Sequence, residues 1–485
     1  MTVTVRHYID GDWQAASSGA GYPDINPWTG EALATVAAGN ADDARRAIAA
    51  AHAAFPTWAA VRPAERQLVF LRAAEALDRR RDRIAGLLAA ETGCGRHFAT
   101  VQMDFAVSLL RQAGGLAYAA IGQVMPSDVA GASAVAMRRP VGVVAAIAPW
   151  NASLVLSGRS IVGPLALGNT VVLKPSEESP ITGGTLWAEL FAEAGLPPGA
   201  LNVVTHAPGE AGTIAEELIA NPHVRRINFT GSTVTGRRVA EQAGRHLKRV
   251  VLQLSGQNPL LVLGDADVAY AVEAATYGAF VHTGQVCMCA RRIFVERSIA
   301  DEFTERFADK VAGLPTGDPG DPRTVVGPLI NKWALSLITR RVEEAVGMGA
   351  RVLAGGTPAP PCYPATVLTD VHPEAEIAFD ETFGPVVILE VVDDAEHAVR
   401  RANDSRFGLT AGVLTADPYR GAEIARRLES GIVHVNDQPV NDEPQMPFGG
   451  VKDSGWGRFG VGFAVEEFSD LQWITTRGEA RTFPF

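Results

Sequence analysis

Residues 226–236 read R-I-N-F-T-G-S-T-V-T-G, and this stretch decides the fold class. The apolar segment that ends at Phe229 has the composition of a short strand, and Ser232 and Thr233 can start a helix directly after it. Free N–H groups at such a helix start, together with the helix dipole, favour an anion. Most turns of this kind are only capped helix starts, so the stretch predicts strand–turn–helix and leaves phosphate binding open.

The same alternation of strand and helix extends outward from this stretch. A helix is predicted over 181–195, and similar strand-like runs lie at 141–149, 169–175, 201–205 and 249–254. Short apolar strands that alternate with helices are typical of a parallel, doubly wound α/β sheet. After residue 259 a second alternation begins, with helices predicted over 268–281 and 299–312. The pattern therefore predicts two α/β domains in series.

The N-terminal part of the chain is predicted to be helical. A helix is expected over 41–54, with Asn40 as its N-cap and acidic residues in its first turn. A second helical stretch covers 63–90, and Gly93 is the expected stop signal.

Composition restricts the class of protein. The chain has 485 residues, enough for about three domains, and 47% of them are hydrophobic. A net charge of −11 argues against nucleic acid or an anionic membrane as a partner. The chain has no signal-like N-terminus and no apolar run of membrane-spanning length, so a cytoplasmic location is expected. Four scattered cysteines suggest neither a disulfide framework nor a metal site.

The segment H-T-G-Q-V-C-M-C at 282–289 contains the candidate nucleophile. The glycine fingerprint G-x-G-x-x-G is absent, as are the P-loop, H-E-x-x-H and G-x-S-x-G motifs. Cys287 lies where a polar patch meets apolar sequence, which suits a reactive thiol. A buried, inert cysteine is the commoner outcome for a single cysteine, so both interpretations stay open at this point.

Six short motifs occur in a fixed order between residues 149 and 455. They are P-W-N (149–151), K-P-S-E (174–177), F-T-G-S-T-V-T-G (229–236), G-Q-V-C (284–287), E-T-F-G-P-V (381–386) and P-F-G-G-V-K-D-S-G (447–455). Together they resemble the aldehyde dehydrogenase superfamily across essentially the whole chain. The resemblance implies an α/β fold with a Rossmann-variant coenzyme domain, an α/β catalytic domain and a small β oligomerisation element. The implied segments are 1–121 and 142–253 for NAD binding, 254–466 for catalysis, and 122–141 with 467–485 for oligomerisation.

The resemblance also implies a binding site for NAD. Lys174 and Glu177 match the positions that hold the adenosine ribose, and a carboxylate there disfavours the 2′-phosphate of NADP. Ser232 matches a pyrophosphate contact and Glu381 the contact to the nicotinamide ribose. The full set of implied cofactor-binding residues is Trp150, Lys174, Ser176, Glu177, Gly231, Ser232, Glu381 and Phe383.

Cys287 matches the nucleophile of the family. Its thiolate would attack the aldehyde carbon to give a thiohemiacetal and then a thioester. Asn151 and the Cys287 backbone N–H match the donors that stabilise the oxyanion. The implied substrate-pocket residues are Ala152, Met288, Cys289 and Phe448.

One catalytic position departs from the family pattern. Residues 252–257 read L-Q-L-S-G-Q where the family usually has L-E-L-G-G-K, so Gln253 occupies the general-base position. An amide can position water but cannot remove its proton. Three interpretations stay open: another base has taken over, the chain is an engineered glutamine variant that traps the acyl-enzyme, or the acyl group goes to an acceptor other than water. His282 and the more distant Glu443 are the candidate substitute bases.

The segment 435–450 and the motif around Cys287 resemble the benzaldehyde, vanillin and salicylaldehyde branch. The resemblance therefore implies a small aromatic aldehyde as substrate, with an aliphatic aldehyde or a semialdehyde as the alternative. The C-terminal stretch 468–476 alternates like a strand and resembles the family's oligomerisation strand, which implies a homodimer or a homotetramer. No metal is implied.

Overall fold

The computed structural model of the chain describes residues 3–119 and 121–485. Residues 1, 2 and 120 of the predicted first segment lie outside this description. Within it, no helix combines the length and the apolar character that a membrane crossing requires.

Two large sheets organise the fold. The first has eight strands, and its five central strands are parallel. Its spatial order is Gly455–Trp456, Arg249–Gln253, Val224–Thr230, Val143–Ile147, Thr170–Lys174, Leu201–Val203, His7–Ile9 and Asp12–Gln14. The second has seven strands, in the order Arg351–Ala354, Thr366–Thr369, Val386–Val392, Arg292–Glu296, Pro259–Val262, Thr410–Leu414 and Ile432–Val435.

In the second sheet, the first strand runs antiparallel to its neighbour and the other strands are parallel. The chain passes from one sheet to the other through residues 254–258, so this turn joins the two sheets.

Helices cover both sheets and bury their apolar faces. Those of the N-terminal half are Ala41–Ala59, Pro63–Asp78, Arg81–Thr92, Arg96–Leu116, Ser153–Ala166, Leu186–Ala194, Ala211–Ala220 and Thr233–Arg245. Those that follow are Val268–Phe280, Ala300–Ala312, Lys332–Gly347, Glu376–Phe379, Ala395–Asn403, Pro418–Ala425 and Ala464–Phe468. Short turns of other helix types occupy Ile181–Thr185, Val281–Gly284 and Arg297–Ile299.

Smaller sheets complete the fold. A three-stranded antiparallel sheet joins Gln123–Met125, Ala132–Pro140 and Ser469–Arg477. Another joins Val3–Val5, Ala32–Ala37 and Gly21–Ile25, and a two-stranded ladder joins Phe407–Gly408 to Val451–Lys452.

The local signals for helix ends are confirmed in the N-terminal region. The Asn40 side chain accepts from the N–H groups of Asp42 and Asp43, and Asp43 completes a capping box. Gly93 ends the third helix with a φ of 67°.

The single helical stretch predicted over 63–90 is wrong at one point. The helix ends at Asp78, and a new one starts at Arg81. Arg79 and Arg80 at the break both bind the carboxylate of Glu193, which lies far away in sequence. A contact of this kind leaves no local signal in the sequence.

Candidate active site

A cavity of about 850 Å³ lies at the carboxyl ends of the first sheet's parallel strands and extends towards the second sheet. Ligands of open α/β sheets bind at this edge. The cavity brings together eleven of the residues that the sequence singled out: Trp150, Asn151, Lys174, Ser176, Glu177, Gly231, Ser232, Gln253, Cys287, Glu381 and Phe383.

One end of the cavity is lined by a buried lysine and a half-buried carboxylate, and a buried histidine lies beside them. Lys174 ends its strand, and its ammonium donates to Nε2 of His206 at 2.6 Å. The other ring nitrogen of His206 lies 3.0 Å from the Ala207 carbonyl, and Glu177 lies 3.8 Å from Nε2. Burial lowers the pKa of Lys174 to about 8, and burial together with the Lys174 charge lowers the pKa of His206 to about 4. The neutral imidazole therefore acts as an acceptor that holds the lysine in place.

His206 was not among the residues predicted from the sequence. Its only signal is its position, because V-V-T-H follows the strand Leu201–Val203 at the same carboxyl edge as Lys174.

The middle of the cavity is the start of the helix Thr233–Arg245. Ser232 caps this helix, with its hydroxyl accepting from the Thr235 N–H at 3.3 Å. The Gly231 N–H donates to the Gln253 carbonyl at 3.0 Å, which joins this turn to the next strand. A Cβ at Gly231 would lie 2.6 Å from the Phe229 ring, so the turn requires glycine. The helix start faces the cavity and suits an anionic group.

Three consecutive residues with left-handed backbone lead to the candidate nucleophile. His282, Thr283 and Gly284 have φ values of 50°, 58° and 67°. A β-branched threonine rarely adopts this conformation, so surrounding contacts must hold it there. The Thr283 hydroxyl accepts from the Gly327 N–H at 2.8 Å, and the buried guanidinium of Arg291 binds the Gly284 carbonyl.

Cys287 lies at the end of this loop, partly accessible from the cavity. Asn258 fixes the loop from below, because its amide donates to the carbonyls of Cys287 and Cys289 at 2.7 and 2.8 Å. Within the described part of the chain, the Cys287 N–H has no hydrogen-bond partner. Burial, with the nearby Glu381 charge, raises the pKa of the Cys287 thiol to about 12. The thiol is thus protonated at neutral pH in the absence of a positive neighbour.

Asn151 lies beside this loop, just before the helix Ser153–Ala166. Its Nδ2 donates one hydrogen to the Gln285 carbonyl at 3.0 Å. A side-chain amide has two such hydrogens, so the second remains for a group in the cavity.

Gln253 is buried at the end of its strand and has almost no hydrogen bonding. Its Nε2 lies 3.5 Å from the Leu254 carbonyl, which is at the limit of a hydrogen bond, and its Oε1 has no partner in the described structure. An unsatisfied buried acceptor costs about 1–3 kcal/mol. The amide oxygen is therefore a favourable position for a water or a substrate hydroxyl.

Glu381 lies in the cavity wall opposite this strand. Its Oε1 accepts from the Gly256 N–H at 3.2 Å, and its backbone carbonyl accepts from Arg341. Burial raises the pKa of Glu381, and hydrogen bonds from Ser255 and Gly256 offset part of that rise. The Phe383 ring meets Trp150 edge-on, with ring centroids 5.8 Å apart.

The four predicted substrate-pocket residues do not line this cavity. Ala152, Met288, Cys289 and Phe448 are buried in the apolar core cluster that packs beside Cys287. Phe448 packs against the buried guanidinium of Arg159, 4.2 Å from the ring centroid. Their role in substrate binding stays a prediction.

The two candidate substitute bases also lie away from the cavity. Both ring nitrogens of His282 lack a partner in the described structure, its ring stacks on Phe98, and burial lowers its pKa to about 4. Glu443 lies on a loop and accepts from Gln445 at 2.7 Å. Within the described residues no group of three or more histidine, cysteine or acidic side chains is arranged to hold a metal.

A doubly wound first sheet with a ligand-sized cavity at its carboxyl edge defines a nucleotide-binding α/β class of enzyme. The aldehyde dehydrogenase family model matches residues 13–474. The chain belongs to the aldehyde dehydrogenase family and is an oxidoreductase, which confirms the predicted fold and enzyme class.

Individual relatives resemble the chain over nearly their full length. A vanillin dehydrogenase of Pseudomonas sp. is 44% identical over 476 residues, which is 98% of each chain. A benzaldehyde dehydrogenase [NAD(+)] of Pseudomonas putida is 42% identical over 462 residues, covering 95% of this chain and 94% of that protein. The crystal structure of a salicylaldehyde dehydrogenase from Pseudomonas putida G7, complexed with salicylaldehyde, superposes with a TM-score of 0.96 at 37% identity, covering 100% of both chains.

Proposed function

We propose that the chain oxidises an aromatic aldehyde to the carboxylic acid, with NAD as the electron acceptor. The observation that carries this proposal is the single cavity that is lined by the thiol of Cys287 and the amide of Asn151 at one end and by Lys174 and Glu177 at the other. The names of the vanillin, benzaldehyde and salicylaldehyde dehydrogenases that the chain resembles support an aromatic substrate.

The residues present fit NAD. Lys174 and Glu177 would hold the adenosine ribose at one end, and the N–H groups at Ser232 would face the pyrophosphate in the middle. Trp150, Glu381 and Phe383 would hold the nicotinamide end beside Cys287. When bound, NAD supplies the acceptor for hydride and a positively charged ring that favours the Cys287 thiolate.

The chain's own residues account for acylation. The Cys287 sulfur would attack the aldehyde carbon, and the new oxyanion would accept hydrogen bonds from the Cys287 N–H and the second Nδ2–H of Asn151. Because Asn258 fixes the two loop carbonyls, these donors are oriented before the substrate binds. Loss of hydride from the thiohemiacetal carbon leaves a thioester on Cys287.

A second candidate function is that of a protein that forms this thioester but releases it very slowly. The specific observation in its favour is the amide at position 253, whose oxygen cannot act as a base. An aliphatic aldehyde or a semialdehyde is the alternative substrate class.

A panel of benzaldehyde, vanillin, salicylaldehyde, butanal and succinic semialdehyde, each with NAD, tests the proposal. We expect kcat/KM to be at least about tenfold higher for the aromatic group. NADH formation that stops at one equivalent per subunit would instead favour the trapped enzyme. A preference for butanal or the semialdehyde would contradict an aromatic substrate.

Glu177 is proposed to select NAD over NADP. Its carboxylate would repel the 2′-phosphate of NADP and accept from the ribose hydroxyls of NAD. The kcat/KM for NAD should exceed the kcat/KM for NADP. The Glu177→Gln variant should show a smaller preference for NAD. A parent enzyme that prefers NADP would contradict this assignment.

Oligomerisation is proposed through the strand Ser469–Arg477. It forms an edge of its sheet and carries exposed apolar side chains, including Trp473 at 76% exposure. A homodimer or homotetramer would cover them, and sedimentation velocity at micromolar concentration tests this against a monomer. The predicted segments for the three domains and the cytoplasmic location remain proposals.

A further inference from the structure

The amide at position 253 bears on the second half of the reaction, the hydrolysis of the thioester, which itself rests on the proposed function. Water is a poor nucleophile, and its attack on a thioester is accelerated by a base that removes a proton. An amide at position 253 cannot do this. The base must therefore come from elsewhere in the cavity if the enzyme turns over.

Three carboxylate side chains line the cavity in the described part of the chain, and two of them are engaged elsewhere. Glu177 lies at the opposite end, next to His206 and Lys174. The Asp380 carboxylate binds the guanidinium groups of Arg341 at 2.9 Å and Arg406 at 2.6 Å. Both oxygens of Asp380 are thus used by cations.

Glu381 is the third, and its contacts place it one residue, Gly256, away from the loop of the nucleophile. The Gly256 N–H that binds its Oε1 belongs to the turn three residues after Gln253. A Cβ at Gly256 would lie 3.0 Å from the Cys287 carbonyl oxygen, so the same residue also touches the nucleophile loop. Gly256 therefore lies between the Glu381 carboxylate and the backbone of Cys287.

The electrostatic environment agrees with this position. The charge of Glu381 contributes to the raised pKa of the Cys287 thiol, so the two groups lie within electrostatic reach. Arg291 and Asp380 are the other charged groups that act on Glu381, and their effects on its pKa have opposite signs. Because burial dominates, the pKa of Glu381 lies above that of an ordinary glutamate, which makes its carboxylate a stronger base.

We infer that Glu381, once the reduced cofactor no longer occupies its carboxylate, is the general base of thioester hydrolysis, in place of the carboxylate that is missing at position 253. A water between Glu381 and the thioester gives its proton to the carboxylate while its oxygen bonds to the carbonyl carbon. The tetrahedral intermediate collapses, the carbon–sulfur bond breaks, and the carboxylic acid leaves. The proton on Glu381 then passes to the Cys287 thiolate, which restores the thiol. No electron is transferred in this step.

Gln253 keeps a role in this arrangement. Its unpartnered Oε1 can accept one hydrogen of the water, while Glu381 takes the other. The Gln253 amide then orients the attacking water, and the Glu381 carboxylate accepts its proton.

Hydrolysis of a preformed acyl-enzyme tests the inference without aldehyde or NAD. The full chain is acylated with p-nitrophenyl benzoate, freed of excess ester by rapid gel filtration, and followed by intact-protein mass spectrometry. Glu381→Gln should slow loss of the acyl group by at least about 10², the lower end of what a general base contributes. The parent rate should fall as pH drops through the raised pKa of Glu381, whereas the Glu381→Gln rate should simply follow hydroxide concentration.

A rescue and two comparison variants complete the test. Gln253→Glu in the Glu381→Gln background should restore most of the lost rate, which a general structural defect would not allow. Glu443→Gln, at a loop carboxylate outside the cavity, should leave the rate unchanged. A Glu381→Gln rate within about twofold of the parent would overturn the inference, as would a large loss in His282→Asn instead. Failure to oxidise any aldehyde would contradict the proposed function but leave this hydrolysis result intact.

Discussion

The loop that carries Cys287 and the turn that directly follows Gln253 face one cavity, but the chain holds the side chains of Cys287 and Gln253 differently. The loop is fixed by Asn258, by Arg291 and by the hydrogen bond from Gly327 to Thr283, which hold its left-handed backbone in place. The turn is also fixed, since the Gln257 amide donates to the Asp380 carbonyl at 2.8 Å. The Gln253 amide, in contrast, has an oxygen without a partner in the part of the chain that the structure describes.

This difference separates the two half-reactions. The groups proposed for acylation are held in place before substrate binds, so acylation needs little reorganisation. The side chain at the usual base position, Gln253, has nearly the shape of a glutamate but cannot remove a proton from water. We therefore expect substitutions in the loop and in the turn to affect different phases of the reaction.

Cys287→Ala should have the largest effect. Without the thiol no thioester forms, so NADH formation should be abolished while NAD binding, measured by fluorescence quenching, is retained. The matched control is Cys289→Ala, whose sulfur is fully buried and faces the Val281 carbonyl. An inactive Cys289→Ala with an active Cys287→Ala would reverse the assignment of the nucleophile.

Asn151→Ala should come next, because both half-reactions form an oxyanion on the same carbon. Loss of one oxyanion donor costs about 10²–10³ in rate. The burst of NADH in stopped flow should slow by this amount, and hydrolysis of a preformed acyl-enzyme should also slow. An unchanged burst would show that the second Nδ2–H does not reach the oxyanion.

The pH dependence of acylation reports on the environment of Cys287. Because the free enzyme's thiol has a pKa raised to about 12, its thiolate fraction should rise about tenfold per pH unit between about pH 7 and 9. Acylation by p-nitrophenyl benzoate without cofactor should follow this rise, with Cys287→Ala as the blank for hydroxide. A plateau below about pH 9 would mean that the thiol is far more acidic than its surroundings indicate.

Gln253→Glu should have the smallest effect. With Glu381 already acting as a base, a second carboxylate should speed hydrolysis of the acyl-enzyme by less than about tenfold. An acceleration within the full range of about 10²–10⁴ would show that no carboxylate serves the parent enzyme. The same variant should slow the burst slightly, because a new negative charge raises the thiol pKa further.

Local signals and ordered motifs in the sequence predicted much of the fold and eleven residues of the cavity lining. Asn40 and Gly93 end their helices as expected, because capping depends on the residue itself. The sequence motifs predicted the eleven residues that meet in the cavity, of which Trp150 is the first in the chain and Phe383 the last. These features could be predicted because they depend on residues that are close to one another in the sequence.

Contacts between distant segments could not be predicted in this way. The left-handed backbone of His282 and Thr283 depends on Gly327 and Arg291, and neither residue type signals it locally. The placement of His206 beside Lys174, and of Glu381 against Gly256, depends on how separate strands and loops pack. The sequence itself shows that the usual base is missing at position 253. The sequence did not single out Glu381 as the replacement, because the family resemblance implied only a contact between Glu381 and the nicotinamide ribose.

The most direct test of the proposed chemistry is to find the acyl group. The parent enzyme is mixed with benzaldehyde and NAD, quenched with acid within milliseconds, and analysed by peptide mass spectrometry with fragmentation between Cys287 and Cys289. We predict a benzoyl group on Cys287 that appears with the NADH burst and then stays at a constant level during the steady-state phase. NADH formation without any such adduct, or an adduct on Cys289, would contradict this prediction.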